Sequence, residues 1–167
     1  STEEQHHGTQ PYIMPDFNLL GFNYRMTDLQ GAVGIVQLSK LDDLIEERQK
    51  WANYYTQMFA GTPWLHTPVV PKDYRHGWQA YVCSVEESRS PMTRNEIMQA
   101  LYIKGISTRP GTHAVHMLGL YKERFGLHPD DFPVARDCDR YSMAIPLHNR
   151  MTPEDYDYVV RAIKGLG

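Results

Sequence analysis

The sequence predicts a two-layer α+β fold, with a long N-terminal helical segment followed by a small, mainly antiparallel sheet that carries helices on one face. Apolar residues recur at the helical period of 3.6 from Leu29 to Phe59, which indicates the helical segment. Alternating apolar side chains over residues 78–86 indicate a strand. Helix-capping motifs and short apolar runs then alternate to the end of the chain, as expected for helices that connect the strands of one sheet.

The helical segment covers residues 27–60 and begins at a capping box, with Thr27 as N-cap and Gln30 three residues later. A helix of that length is unusual in a globular domain, so we expect a break near residues 39–43 and two consecutive helices. Residues 1–26 show neither a helical nor a strand period, and we expect them to form an irregular linker.

Residues 61–167 are predicted to form a small α/β domain whose first strand lies at 78–86. This strand has two partly apolar faces, one with Trp78, Ala80 and Val82 and the other with Tyr81, Cys83 and Val85. We therefore expect it to be covered on both sides.

A second capping box, from Thr93 to Glu96, starts a helix that Gly105 is expected to end in the left-handed conformation. The remaining predicted elements are a strand over 106–109, helices over 118–124 and 134–141, a strand over 142–147, and a last helix between Thr152 and Gly165.

The composition excludes several classes of function. Of the 167 residues, 41% are hydrophobic and 22% charged, as in ordinary globular proteins, and the net charge of −3 gives no strong attraction to nucleic acid or an anionic membrane. No apolar run approaches the roughly 20 residues of a membrane span. No residue pattern predicts a metal site. Cys83 and Cys138 are predicted to be buried free thiols, which fits a cytoplasmic location.

A polar motif lies directly before the first predicted helix. Asn23, Tyr24 and Arg25 place an amide, a phenol and a guanidinium next to a helix N-terminus, which attracts negative charge. Arg clamps anions through two parallel hydrogen bonds. The motif therefore fits an anionic cofactor or substrate, but on these residues alone a rigid structural turn with a surface ion pair is favoured.

The run from Gly21 to Gly34, GFNYRMTDLQGAVG, closely resembles the DegT/StrS family of sugar aminotransferases, which belongs to the aspartate-aminotransferase superfamily of fold type I. Further motifs follow in the order of that family and cover nearly the whole chain. They are Glu47-Arg48, Tyr54-Tyr55, residues 105–109, His116, Tyr121, residues 132–135, residues 146–148 and residues 151–155.

The resemblance implies that the chain is the C-terminal half of a pyridoxal 5′-phosphate (PLP) dependent enzyme and contains its small C-terminal domain. In such enzymes a lysine of the large N-terminal domain forms a Schiff base with PLP. In the family this lysine follows shortly after a Ser and precedes a Gly-Glu-Gly stretch. None of the six lysines here lies in such a pattern, so we expect the Schiff-base lysine upstream and the chain alone to be inactive.

Three residue roles follow from the resemblance. The family is typically a homodimer with shared active sites, and the position of Asn23 implies a bond to the PLP phosphate of the other subunit. Arg25 and His116 are implied to contact substrate. Before His116 the family usually has an aromatic residue and a proline, whereas this chain has Gly111 to Val115, which leaves the sugar in doubt.

The implied reaction transfers an amino group, with glutamate as donor, to a nucleotide-linked keto sugar. Two alternatives stay open. Some relatives replace the lysine with histidine and use PLP for sugar dehydration and deoxygenation, so the residue upstream decides. The chain could also be a non-catalytic α/β interaction module.

Overall fold

The computed structural model describes residues 24–167. Within them the helices are α1 Asp28–Leu38, α2 Leu41–Phe59, α3 Arg94–Ile103, α4 Gly119–Phe125, α5 Pro133–Tyr141 and α6 Pro153–Lys164. The strands are β1 Leu65–His66, β2 Tyr81–Val85, β3 Arg109–Pro110 and β4 Ser142–Ile145. Short 3-10 helices lie at Val115–Met117 and Pro129–Asp131. Helix α1 belongs to a compact unit that ends at Ser39, and Lys40–Gly167 form a second compact unit.

The predicted helix starts and the predicted break are confirmed. The Thr27 side chain accepts a hydrogen bond from the Gln30 amide, and the Gln30 side chain accepts one from the Thr27 amide. The same reciprocal box forms at Thr93 and at Thr152. Helix α1 ends at Leu38 and α2 begins at Leu41, inside the expected region. Gly105 has a φ of 76°, the left-handed conformation expected after α3.

The four strands form an antiparallel sheet in the order β1-β2-β4-β3. In its centre Tyr81 pairs with Ile145 and Cys83 with Met143. Three predicted strand ranges differ from the observed strands, and the one predicted over 142–147 ends at Ile145. Residues 78–80 precede β2 because Trp78 has a φ of 46°, which is incompatible with extended backbone. Ile106 instead donates its amide to Leu101 at the end of α3, so pairing starts only at Arg109.

The core lies against one face of the sheet. Alternate residues of β2 and β4 share a continuous apolar cluster with residues of α2, α3 and α6, including Tyr55, Ile97, Leu101, Tyr156 and Ile163. On the other face Val82 and Ala144 are only half-buried and Ser84 is exposed. The prediction of helices on one face is therefore confirmed, whereas the cover predicted for both faces of β2 is partial.

Both cysteines are free, as predicted, but only Cys83 is buried. The prediction of a buried Cys138 was wrong, because α5 buries none of its residues fully and Cys138 lies on its exposed side. Across residues 24–167 there is no helix with the length and apolar character needed to cross a membrane.

Candidate functional site

The motif before α1 places the cation Arg25 beside a helix start whose first turn also carries the carboxylate of Asp28. Arg25 is exposed and lies two residues before the N-cap Thr27, whose side chain fixes the first helical turn. A guanidinium beside the positive end of a helix dipole creates a region that favours an anion. Asn23, the predicted phosphate ligand, lies outside the described residues, so its predicted role stays a prediction.

His116 is buried in the 3-10 helix that follows β3, with 6% of its surface exposed. Its Nε2 donates to the main-chain oxygen of Pro129, with the two atoms 3.2 Å apart, and its ring centroid lies 5.1 Å from that of Phe132. Because a carbonyl only accepts, this bond requires the proton on Nε2. In the neutral ring Nδ1 is therefore an acceptor.

Two further contacts hold the segment that carries His116. The amide of Gly111 donates to the main-chain oxygen of Ser142, at 3.1 Å. The amide of Ala114 donates to the carboxylate of Asp139 on α5, at 3.3 Å. Sequence reasoning missed Asp139, because its partner is a main-chain amide 25 positions away, which no local motif reveals.

Arg25 and His116 belong to two different compact units of the chain. Within residues 24–167, no three His, Cys, Asp or Glu side chains are grouped to hold a metal ion.

The resemblance motifs at residues 105–107 and 146–148 line a cleft of about 420 Å³ beside α6. Two polar side chains of the cleft form hydrogen bonds with nearby main-chain groups. His148 Nδ1 accepts from the Arg150 amide at 3.3 Å, and the Tyr158 hydroxyl donates to the Lys104 carbonyl at 2.9 Å. These motifs therefore contribute to the local fold around α6.

The largest pKa shifts lie in the core and not near Arg25 or His116. Burial raises the pKa values of the Tyr55 and Tyr81 hydroxyls, and it raises the pKa of the Cys83 thiol to about 12. At an active site, groups with shifted pKa values lie in a cleft beside other reactive groups. Here the shifted groups are enclosed by apolar side chains, so they report packing.

The sequence profile of the DegT/DnrJ/EryC1/StrS aminotransferase family matches residues 3–164. The spore coat polysaccharide biosynthesis protein SpsC of Bacillus subtilis is 35% identical over 147 residues, which cover 87% of this chain and 38% of that protein. The GDP-perosamine synthase of Caulobacter vibrioides is 32% identical over 148 residues, which cover 88% of this chain and 39% of that protein.

Among solved structures, the PLP-form of Spr1654 from Streptococcus pneumoniae superposes with a TM-score of 0.77 at 26% identity, covering 90% of this chain and 38% of that chain. This match confirms the predicted fold class. The chain spans about two fifths of the length of these relatives. Because the family profile covers nearly all of its residues, the chain belongs to the DegT/DnrJ/EryC1/StrS aminotransferase family.

Proposed function

We propose that the complete gene product containing this chain is a PLP-dependent aminotransferase that transfers an amino group from glutamate to a nucleotide-linked keto sugar. The observation that carries the proposal is the family match over residues 3–164. The names of the relatives support a sugar substrate, since one makes GDP-perosamine and another serves spore coat polysaccharide biosynthesis.

The residues of this chain fit one end of PLP. The phosphate of PLP is an anion that needs hydrogen-bond donors and positive charge, and the exposed Arg25 beside the start of α1 offers both. Asn23, two residues earlier, offers a neutral amide donor. The six lysines are all exposed, and none lies in an enclosed site that would hold a covalently bound cofactor. We therefore place the lysine partner of PLP outside this chain and expect the chain alone to be inactive.

Each part of the chain then has a role in the proposal. Residues 1–26 are the linker that brings Asn23 to the phosphate of PLP in the other subunit of a homodimer. Residues 27–60 are the helical segment, and residues 61–167 are the small domain that forms one wall of the substrate pocket.

His116 is proposed to orient the sugar. Its Nε2 proton is held by the Pro129 carbonyl, so the neutral ring offers only the Nδ1 lone pair. A lone pair accepts from a donor such as a sugar hydroxyl, and this is the contact that we propose for Nδ1. PLP, when bound, supplies the electron sink for the transfer, and the protein residues supply position and charge.

The proposal is tested with the complete gene product, reconstituted with PLP. L-glutamate should convert the bound coenzyme to its amino form, seen by absorbance, and GDP-, UDP- and dTDP-linked keto sugars should then restore it. One 2-oxoglutarate should form for each amino sugar. Arg25→Gln should weaken binding of PLP or of substrate about tenfold, the order expected for one lost charge-assisted pair. Arg75→Gln, which alters an exposed arginine paired with Asp42 at 3.2 Å, is the matched control.

Two results would count against the proposal. A gene product that binds no PLP would favour the non-catalytic module. A gene product that binds PLP and removes a hydroxyl from the keto sugar as water, with no amino sugar formed, would favour the dehydratase.

A further inference from the structure

The segment from Gly111 to Met117 links β3 to α4 and carries His116. We call it the 111–117 segment. It has little regular structure, since only Val115–Met117 form a 3-10 helix. The position of His116 therefore depends on the contacts that hold the segment.

Three of those contacts come from outside the segment. The Ser142 carbonyl accepts from the Gly111 amide at 3.1 Å, and the Pro129 carbonyl accepts from His116 at 3.2 Å. Both acceptors are main-chain groups that any residue would supply. The third acceptor, the Asp139 carboxylate, binds the Ala114 amide at 3.3 Å and is a side chain. Its identity therefore matters for the position of the segment.

The Ala114 amide needs this acceptor. Ala114 has only 3% of its surface exposed, and a buried amide without a partner carries the full cost of losing water. The Asp139 side chain is about one-third exposed, so it reaches from the surface of α5 to a buried donor. Removing the carboxylate would leave the amide unsatisfied two residues before His116.

The location of Asp139 gives no benefit to its own helix. It lies in the last turn of α5, where the negative end of the helix dipole repels a carboxylate. The neighbouring arginines are paired elsewhere, Arg136 with Asp137 and Asp130 and Arg140 with Glu87. The bond to Ala114 is thus the contact that favours a carboxylate here.

A histidine ring also faces Asp139. Nδ1 of His113 lies 3.7 Å from the same carboxylate oxygen, beyond hydrogen-bond length, and the His113 side chain is 71% exposed. A charged pair at that distance and exposure is weak and screened by salt. This pair therefore stabilises the segment little compared with the hydrogen bond that Asp139 accepts from the Ala114 amide.

We propose that Asp139 is a positioning residue that holds the 111–117 segment through the Ala114 amide and thereby fixes the His116 ring for substrate. The assignment of a substrate contact to His116 rests on the function proposed above. The step added here is the link from a carboxylate on α5 to the orientation of that ring.

The test uses the complete gene product labelled with ¹⁵N-histidine, with Asp139→Ala, Asp139→Asn and Asp137→Ala as variants. Asp137 is the matched control because it lies on the same helix and binds Arg136 at 3.0 Å instead of the segment. The His116 ring signals are assigned from their loss in His116→Gln. Hydrogen exchange of a peptide spanning residues 111–117 and the thermal midpoint are measured alongside.

In Asp139→Ala we expect exchange of the 111–117 peptide to rise about three- to tenfold, the effect of one lost hydrogen bond on local opening. The His116 ring nitrogens should shift, while peptides from β2 and β4 and the thermal midpoint stay close to wild type. Asp139→Asn keeps an oxygen acceptor, so it should restore the wild-type ring signals. Asp137→Ala should change neither readout.

Unchanged exchange and ring signals in Asp139→Ala would overturn the proposal, and so would a global loss of protection that spreads to β2 and β4. Both readouts are independent of catalysis. Failure of the aminotransferase test would therefore leave the Asp139 result standing, and failure of the Asp139 test would leave the aminotransferase result standing.

Discussion

The Ser142 carbonyl is a meeting point for three parts of the small domain. Ser142 is the first residue of β4. Its carbonyl accepts hydrogen bonds from the Gly111 amide at 3.1 Å and from the Arg94 guanidinium at 2.9 Å. Arg94 is nine-tenths buried, and its Nε has no partner in the described part of the chain. These two bonds tie α3 and the 111–117 segment to the start of β4. The space around the Ser142 carbonyl should therefore tolerate little added volume.

Gly111 is where added volume has a clear cost. A Cβ there would lie 2.5 Å from both the Val82 side chain and the Ser142 hydroxyl, in the sheet. Gly111→Ala should lower the free energy of unfolding by about 1–3 kcal/mol, as for an overpacked site. At Gly119, the first residue of α4, an added Cβ meets nothing within 4 Å.

Gly119→Ala is therefore the control, and it should be neutral or stabilising by up to about 1 kcal/mol because alanine restricts the unfolded chain. Urea denaturation of both variants measures the difference. Equal stability of Gly111→Ala and wild type would mean that β4 and the 111–117 segment move apart easily, against the tight contact described.

At the scale of the element, features set by four consecutive residues could be predicted from sequence and long-range features could not. The capping boxes at Thr27 and Thr93 were predicted because donor and acceptor lie three positions apart. The turn at Trp78 was missed because distant residues stabilise it. Arg48 donates to the Trp78 carbonyl at 3.1 Å, and Gln49 accepts from its indole at 2.7 Å. The two-residue strand β1 was missed because its pairing with β2 leaves no periodic pattern.

The capping box of α3 gives stability a pH dependence. The Glu96 carboxylate accepts from the amide and the hydroxyl of Thr93, each at 2.8 Å, and these bonds lower the pKa of Glu96 below its usual 4.5. A lowered folded-state pKa contributes stability above the unfolded-state pKa, and this contribution is lost as pH falls through the lowered value.

Glu96→Gln should therefore lower the urea midpoint at neutral pH, with a difference that shrinks below pH 4.5 and then vanishes. Gln accepts hydrogen bonds too, as Gln30 does in α1, so the difference isolates the charge. The control is Glu123→Gln, an exposed glutamate of α4 outside any capping box. A difference from wild type that stays constant across the acid range would contradict the assignment.

At the scale of the whole molecule, the second compact unit has one continuous core. Two tyrosines of this core form hydrogen bonds through their hydroxyls. Tyr55 donates to the Pro146 carbonyl at 2.9 Å, and Tyr81 shares a 2.8 Å hydrogen bond with Thr56. The apolar pattern predicted that Tyr81, Cys83 and Val85 share one face of β2, but it predicted neither that this face alone is fully buried nor the strand order β1-β2-β4-β3. That order depends on which non-local strands pair, and several pairings would bury the same side chains.

Cys83 reports on the opening of this core. It has no measurable exposure, and burial raises the pKa of its thiol to about 12. Only the thiolate reacts with disulfide reagents, so even a reagent that reached Cys83 would find much less thiolate than in an ordinary cysteine. Reaction should therefore require unfolding of the core.

The measurement uses Cys138→Ser, which leaves Cys83 as the single thiol of residues 1–167, and follows its labelling by an aromatic disulfide reagent at mildly alkaline pH. Labelling should be slow in buffer and should accelerate with urea along the same slope as global unfolding. Cys83→Ser, which keeps the exposed Cys138, sets the fast reference rate. If Cys83 instead reacted at a rate that urea did not change, a local opening between β2 and β4 would expose it, and the core could not be one cooperative unit.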